Sequence, residues 1–292
     1  MKKLITLALA ATLTLTLATG CGKAAAPASP ASPAASPAAS PAASPAASPA
    51  ASPAASPAAA KTTLVVGLDD QFPPMGFRDD KNNLVGFDID LVTEVGKRLG
   101  MEVALTPIDW STKELEVNSG KVDLLWNGLT ITDARKESML LSPAYIKNAQ
   151  VVVVGTASEI KAIADLSGKK VAMQEGSSAQ EAYAKCAAAG KETEIITAPE
   201  NITLFQDLKI GRIDAVVIDK VVADYYISKN GEGKLRVLDE ALEDEEYGFA
   251  FKKGNTEFAS LVIDEFDKMV ADGTAAEISK KWFGEDRIIF KK

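Results

Sequence analysis

Residues 86–100 read GFDIDLVTEVGKRLG, and the fold class turns on this stretch. Leu91, Val92, Val95 and Leu99 line one face of a helix. Asp88 stands where an N-cap belongs, and Gly100 supplies the stop. Before it, LVVGL (64–68) is a short apolar run closed by Asp69 and Asp70; after it, EVALTPI (102–108) is a second run. The alternation continues outward. STKELEVNSG predicts a short helix capped by Ser111, and VDLLWNGL (122–129) a strand. Further strands are predicted at QVVVVG, KKVAMQ, TEIIT, IDAVVID, LRVLD and GFAF, with helices over 201–210 and 256–271 closed by Gly211 and Gly273. Strands alternating with helices predict an α/β protein whose parallel sheets are covered on both faces.

In such sheets a ligand sits beyond the carboxyl ends of the strands. Those positions hold Asp69 and Phe72, then Asp109 and Trp110, then Asn127, Gly128, Thr130 and Arg135. Gln174, Glu175, Gly176, Ser177 and Ser178 follow KKVAM, and Asp219 ends IDAVVID. This set suits a free α-amino acid. Arg135 offers a bidentate fork for a carboxylate. Amides near Thr130 and at the Ser177–Ser178 helix start add donors and a positive dipole end. Asp219 accepts from an ammonium, while Phe72 and Trp110 wall the side chain and face a cation. Asp69, Asp70, Asp109 and Glu175 around a side chain favour a basic ligand; Gln174 and the aromatics suit glutamine or cystine. Each residue also has a plainer role open to it. Arg135 is then a solvated helix charge, Asp219 the cap of the helix from Lys220, the aromatics core, and Gly176 with its serines a turn.

Composition narrows the classes. The chain has 292 residues with 32 Lys+Arg, 40 Asp+Glu, no histidine and two cysteines. Without Lys2 and Lys3, 30 basic residues face 40 acidic ones, a net charge of −10 that opposes binding to nucleic acid. The missing histidine excludes Ser-His-Asp and Cys-His mechanisms and histidine-ligated metals. Cys21 and Cys186 are too few for a disulfide framework or a cysteine zinc site, so no metal or cofactor is expected. The acidic run DEALEDEE (239–246) reads as a solvated face, and Cys186, in AYAKCAAAG, as a small, buried apolar helix residue.

Residues 1–20 combine Lys2 and Lys3 with the apolar run LITLALAATLTLTLATG, which fits a secretory signal peptide. Cys21 follows at once. The segment resembles a bacterial lipobox, which implies an acylated, palmitate-bearing Cys21 as mature N-terminus; an ordinary signal cleaved near Gly20 is the alternative. From Ala24 to Ala60 the chain is almost only Ala, Ser and Pro, with proline at every fourth residue from Pro33 to Pro57. Proline at that spacing prevents a long helix or a sheet. The segment, 21–61 with its cysteine, predicts an extended tether reaching on the order of 100 Å.

Three segments carry a family resemblance: GFDIDLVTEVGKRLG, NGLTITDARKE and DGTAAEISKKWFG. Together they resemble the polar amino-acid-binding solute receptors of bacterial ABC importers, from about Thr62 to Gly284. The resemblance implies the two-lobed periplasmic-binding-protein fold. Each lobe is a mostly parallel sheet flanked by helices, and two hinge strands cross near Val151–Gly155 and Glu243–Tyr247. Lobe 1 is then 62–150 plus 246–292 and lobe 2 is 151–245. It implies ligand-binding roles for Asp69, Phe72, Trp110, Asn127, Gly128, Thr130, Arg135, Gln174, Ser177, Ser178 and Asp219. The expected function is capture of a polar or basic amino acid, leaning to arginine, lysine or histidine, and delivery to an ABC permease by a non-enzymatic, lipid-anchored, extracytoplasmic monomer. Glutamine or cystine is the alternative ligand. Two other functions stand beside it: a periplasmic dehydratase of prephenate or arogenate type, with Glu175 or Asp109 as general acid, and a sensory module acting through a membrane partner.

Overall fold

The computed structural model describes residues 61–186, 192–231 and 233–292, so the signal segment, Cys21 and nearly all of the tether lie outside the described residues. The chain begins with β1 (Thr63–Leu68), a small ribbon of β2 (Gln71–Phe72), β3 (Gly76–Arg78) and β4 (Leu84–Val85), and α1 (Phe87–Arg98). β5 (Glu102–Pro107), α2 (Lys113–Ser119), β6 (Leu124–Thr130), α3 (Asp133–Ser138) and β7 (Leu140–Leu141) follow. β8 (Ile146–Gly155) then leads to β9 (Lys170–Gln174), α4 (Ser178–Lys185), β10 (Glu194–Ala198), α5 (Asn201–Lys209), β11 (Ala215–Asp219) and α6 (Lys220–Tyr226). β12 (Leu235–Phe251) returns the chain to α7 (Thr256–Ala271) and α8 (Thr274–Phe283).

One sheet runs through the molecule in the order β10-β9-β11-β8-β12-β6-β1-β5. Its flanks are parallel as expected: β1 with β5 and β6 in a first half, β9 with β10 and β11 in a second. The middle departs from the parallel expectation, because β8 and β12 are antiparallel to each other and to their outer neighbours β11 and β6. The reason is topological. β8 carries the chain from the first half to the second and β12 brings it back, so the neighbours point opposite ways.

Three local readings change with the structure. LRVLD and GFAF are not separate strands but the ends of the 17-residue β12, whose register shifts between Val237 and Glu243. The acidic run is therefore the middle of a long strand. Asp88 does not cap α1: Gly86 holds that position, and Asp88, fully buried, accepts from Gly128 N at 2.7 Å and Tyr145 Oη at 2.8 Å. Asp109, rather than Ser111, caps the turn before α2 by accepting from Ser111 N.

α1 buries Phe87, Leu91, Val92 and Val95 against the first half of the sheet, the stripe its periodicity required. Beneath it Trp126 stacks on Phe249 at 4.0 Å between ring centroids, with Phe266 edge-on at 5.1 Å. Such aromatic pairs add about 1 kcal/mol beyond their burial. This packing makes β6 a rigid rail for the residues at its end. Among the described residues, no helix is long and apolar enough to cross a membrane.

Candidate functional site

The carboxyl ends of the flanking strands from both halves meet in one cleft. From the first half, β1 delivers Asp69, whose carboxylate accepts from Gln71 N at 2.8 Å while its own amide donates to Asn127 Oδ1 at 2.8 Å. Every residue of β6 is buried, so Asn127, Gly128 and Thr130 are fixed by packing rather than by solvent. Gly128 has φ of 57°, and a Cβ there would lie 2.7 Å from Phe72 Cε1. Only glycine lets the Phe72 ring and the β6 backbone approach so closely. Arg135, on α3, is 3 % exposed and donates from Nη1 to Thr130 O at 2.8 Å.

From the second half, β9 delivers Gln174, the start of α4 delivers Ser178, and β11 delivers Asp219, all three buried. Asp219 occupies the N-cap of α6 but makes no capping bond with its side chain. It accepts instead from Tyr247 Oη at 2.5 Å and Asn148 Nδ2 at 2.8 Å. Ser177 lies at the cleft edge, half-buried, with its hydroxyl turned back to Gln174 O at 2.8 Å. Trp110 is buried at the end of β5 with the Lys113 ammonium 5.4 Å from its ring centroid.

The two halves touch through these residues. Gln174 Nε2 donates to Asp69 Oδ2 at 2.7 Å, and Thr130 Oγ1 and Ser178 Oγ are 2.9 Å apart. Gly176 O accepts from Lys113 Nζ at 2.7 Å and from Arg135 Nη2 at 3.4 Å. The structure is thus a closed form. Of the eleven residues expected at the site, Asp69, Asn127, Thr130, Arg135, Gln174 and Ser178 are joined by these contacts and Phe72 packs on Gly128, whereas Trp110 is buried in a core cluster with Val117, Val122 and Leu125.

The electrostatics of the cleft are distinctive in one respect. Its cations, Lys113 and Arg135, donate to backbone carbonyls, and its carboxylates, Asp69, Asp219 and Glu245, accept from amides and a hydroxyl. No ion pair joins the two sets among the described residues. Burial pushes Asp69 up to about 6 and pulls Lys113 down to about 8. It also lowers Arg135 from its ordinary value, against the pull of Glu181, Glu245 and Asp219. Burial and the neighbouring Asp219 push Glu245 up, towards its neutral form. A cleft with buried groups of both signs, Arg135 and Lys113 on one side and Asp69 and Asp219 on the other, suits a ligand carrying both charges.

Some expectations do not hold. Of the four acidic groups expected around a side chain, only Asp69 faces the cleft. Asp70 binds Arg78 Nε at 2.5 Å, Glu175 is exposed, and Asp109 is an exposed cap whose bonds to Ser111 keep its carboxyl below the usual range. Neither candidate general acid therefore faces a buried substrate position. Conversely, Lys113, Asn148, Gln150 and Glu245 belong to the cleft and went unrecognised in the sequence. Glu245 had a signal. Along β12, Glu243, Glu245 and Tyr247 alternate with the exposed Asp244 and Glu246, so a single strand places Glu245 on the face of buried Tyr247.

Comparison with known proteins places the chain in a family. The model of the bacterial extracellular solute-binding proteins, family 3, matches residues 64–285. The L-cystine-binding protein TcyJ of Escherichia coli (strain K12) is 35% identical over 226 residues, covering 77% of this chain and 84% of the relative. An ancestral arginine-binding protein bound to arginine superposes with a TM-score of 0.73 at 38% identity, over 77% of this chain and 99% of that one. A substrate-binding protein of an ABC uptake transporter from Streptococcus pneumoniae with bound histidine gives 0.74 at 36%, over 78% and 95%.

Proposed function

We propose that this chain, which belongs to the bacterial extracellular solute-binding proteins of family 3, captures a free amino acid by closing its two halves and delivers it to an ABC permease. The observation that carries the reading is the placement of Arg135 and Asp219. Both are buried, they come from opposite halves, and neither is neutralised by an opposite charge. A zwitterion bridges them: carboxylate on Arg135, Thr130 and Ser178, ammonium on Asp219, side chain toward Asp69, Phe72, Trp110 and Gln174. Asn127 and Gly128 shape the floor, and Ser177 holds the edge of the second half. Contacts to both halves exist only in the closed form, so the ligand favours closure by its differential affinity. The closed form is what the permease distinguishes.

On this reading β8 and β12 are the hinge strands and the lobes are 62–150 plus 246–292 and 151–245. Asp69, a cleft carboxylate with no salt-bridge partner among the described residues, favours arginine, lysine or histidine. Cystine is the second reading, favoured by the specificity named for TcyJ and by the neutral amide of Gln174 beside Asp69. The protein acts as a monomer on the extracytoplasmic face, without catalysis. An acylated Cys21 anchors it to the membrane, with the Ala/Ser/Pro segment as spacer.

A thermal-shift screen of the twenty amino acids and cystine tests the reading, because a bound ligand raises the midpoint by mass action. A basic amino acid or cystine is expected to give the largest rise. No shift by any of them would overturn it.

A further inference from the structure

Lys113 is a buried cation whose best partner lies in the opposite half. It opens α2 in the first half and is 3 % exposed. Within its own half the ammonium lies 5.4 Å from the centroid of the Trp110 ring and donates to Trp110 O at 3.2 Å. The shorter bond, 2.7 Å, crosses the cleft to Gly176 O. Arg135 Nη2 approaches the same carbonyl at 3.4 Å, so two cations of the first half converge on one backbone oxygen of the second. The turn that presents this oxygen is itself held: Gly176 N donates to Gln180 Oε1 at 2.7 Å and Ser177 N to Gln174 O at 3.3 Å.

The first half by itself does little to offset the burial of this ammonium. Among the described residues Lys113 forms no salt bridge. Glu114, Glu181 and Asp109 attract it only at a distance, while Arg135 repels it. Burial and Arg135 pull its pKa down to about 8, the sign of a charge held at a cost. It also stands in the first turn of a helix, where the dipole disfavours a cation. An apolar side chain would be the stabilising choice at such a position. An ammonium has N–H donors that need acceptors, and the closest one arrives with the second half. When the halves part, Gly176 O withdraws and Nζ keeps only the longer bond to Trp110 O.

We propose that Lys113 is the fastener of the closed form, a positioning residue that pins the second half through Gly176 O and so sets how long a captured amino acid stays bound. The inference rests on the amino-acid-binding reading above and deepens it. With the halves apart, the ammonium is free to reach water and contributes little. With the halves shut, it makes a charge-assisted hydrogen bond, stronger than a neutral one. An interaction present only in the closed form slows reopening and leaves the first encounter between ligand and open form untouched. Lys113 therefore acts on the rate of release rather than on the rate of capture.

The test is Lys113→Met in the full chain, an unbranched apolar side chain that removes the charge and the donors. Calorimetry with L-arginine, L-lysine, L-histidine, L-glutamine and L-cystine finds the tightest binder, and a chase of its tritiated form with excess unlabelled ligand reads the dissociation rate. The variant should bind about tenfold more weakly and release about tenfold faster, with an association rate within about twofold of wild type. Without ligand it should melt no lower than the wild type, because a buried charge has been removed. Wild-type affinity and release in the variant would overturn the fastener and leave the amino-acid reading intact. So would a loss carried by the association rate, or a ligand-free variant melting several degrees lower, which would make Lys113 a support of the first half. A wild-type protein that binds none of the five would overturn the amino-acid reading itself, and the fastener with it.

Discussion

Gly176 and Ser111 touch backbone to backbone across the cleft. Gly176 has φ of 69°, and a Cβ built on it would lie 2.8 Å from Ser111 Cα. The same residue offers its carbonyl to Lys113 and Arg135, so the seam between the halves passes through it. Gly176→Ala should oppose closure by the collision with Ser111, while the cost of a left-handed alanine, roughly 1–2 kcal/mol, falls on the fold as a whole. An overlap with backbone predicts amino-acid binding weakened by about tenfold or more. Calorimetry reads the loss, and a variant that binds like the wild type would show that the halves close without this contact.

Arg135→Ala removes the guanidinium from a buried position where its fork is oriented by Thr130 O and Gly176 O. Charge-assisted hydrogen bonds contribute roughly 1.5–3 kcal/mol. The expected result is an affinity lower by about 100-fold, with Arg135→Lys recovering only part because a point charge does not reproduce the fork. Isothermal titration distinguishes this from a surface arginine, whose loss would leave affinity unchanged.

Gly128→Ala tests the floor of the cleft independently of any ligand. The new Cβ would meet Phe72 Cε1 at 2.7 Å and Tyr247 Cε2 at 3.2 Å, in a backbone at φ 57°. Neither ring is free to move, since both are buried. Strain of about 2–3 kcal/mol is expected, a fall of several degrees in the melting midpoint. A midpoint within a degree of wild type would show that the rings yield.

Asp88 sets a pH dependence on the fold. Burial raises it from 3.8 to about 7, against the bonds from Tyr145 and Gly128 that favour its charge. A carboxyl raised in the native state binds its proton more tightly there than in the unfolded chain. Its contribution is therefore full below about pH 4 and is lost as the pH rises to about 7. Asp88→Asn keeps the shape and removes the titration. The stability of wild type relative to the variant should decline between about pH 4 and pH 7, by up to roughly 4 kcal/mol. Urea midpoints measured across that range decide it; parallel profiles for the two proteins would show that Asp88 does not titrate there.

How much of this was legible in the sequence follows from how local each signal is. The period of Leu91, Val92, Val95 and Leu99 is a property of one helix, and the strand-end positions of Asp69, Asn127, Arg135, Gln174 and Asp219 follow from alternation along the chain. Residue type and position along an element were enough to nominate them, since a strand end can be recognised without its neighbours. The segments GFDIDLVTEVGKRLG, NGLTITDARKE and DGTAAEISKKWFG carried the family in the same way.

Tertiary structure alone decided the rest, because it depended on what each residue faces. Asp88 has the chemistry of a cap and became a buried acceptor only because Tyr145 and Gly128 close over it. Asp70, Asp109 and Glu175 have the same charge as Asp69, yet Arg78 and solvent take them out of the cleft. Glu245 sits in a run of acidic residues whose composition predicts solvent. It turns inward because β12 must pair with β8 along its length to cross between the halves, and that pairing presents alternate side chains to Asp219. Charge and period are written along a chain, whereas desolvation and partnership arise only where distant segments meet.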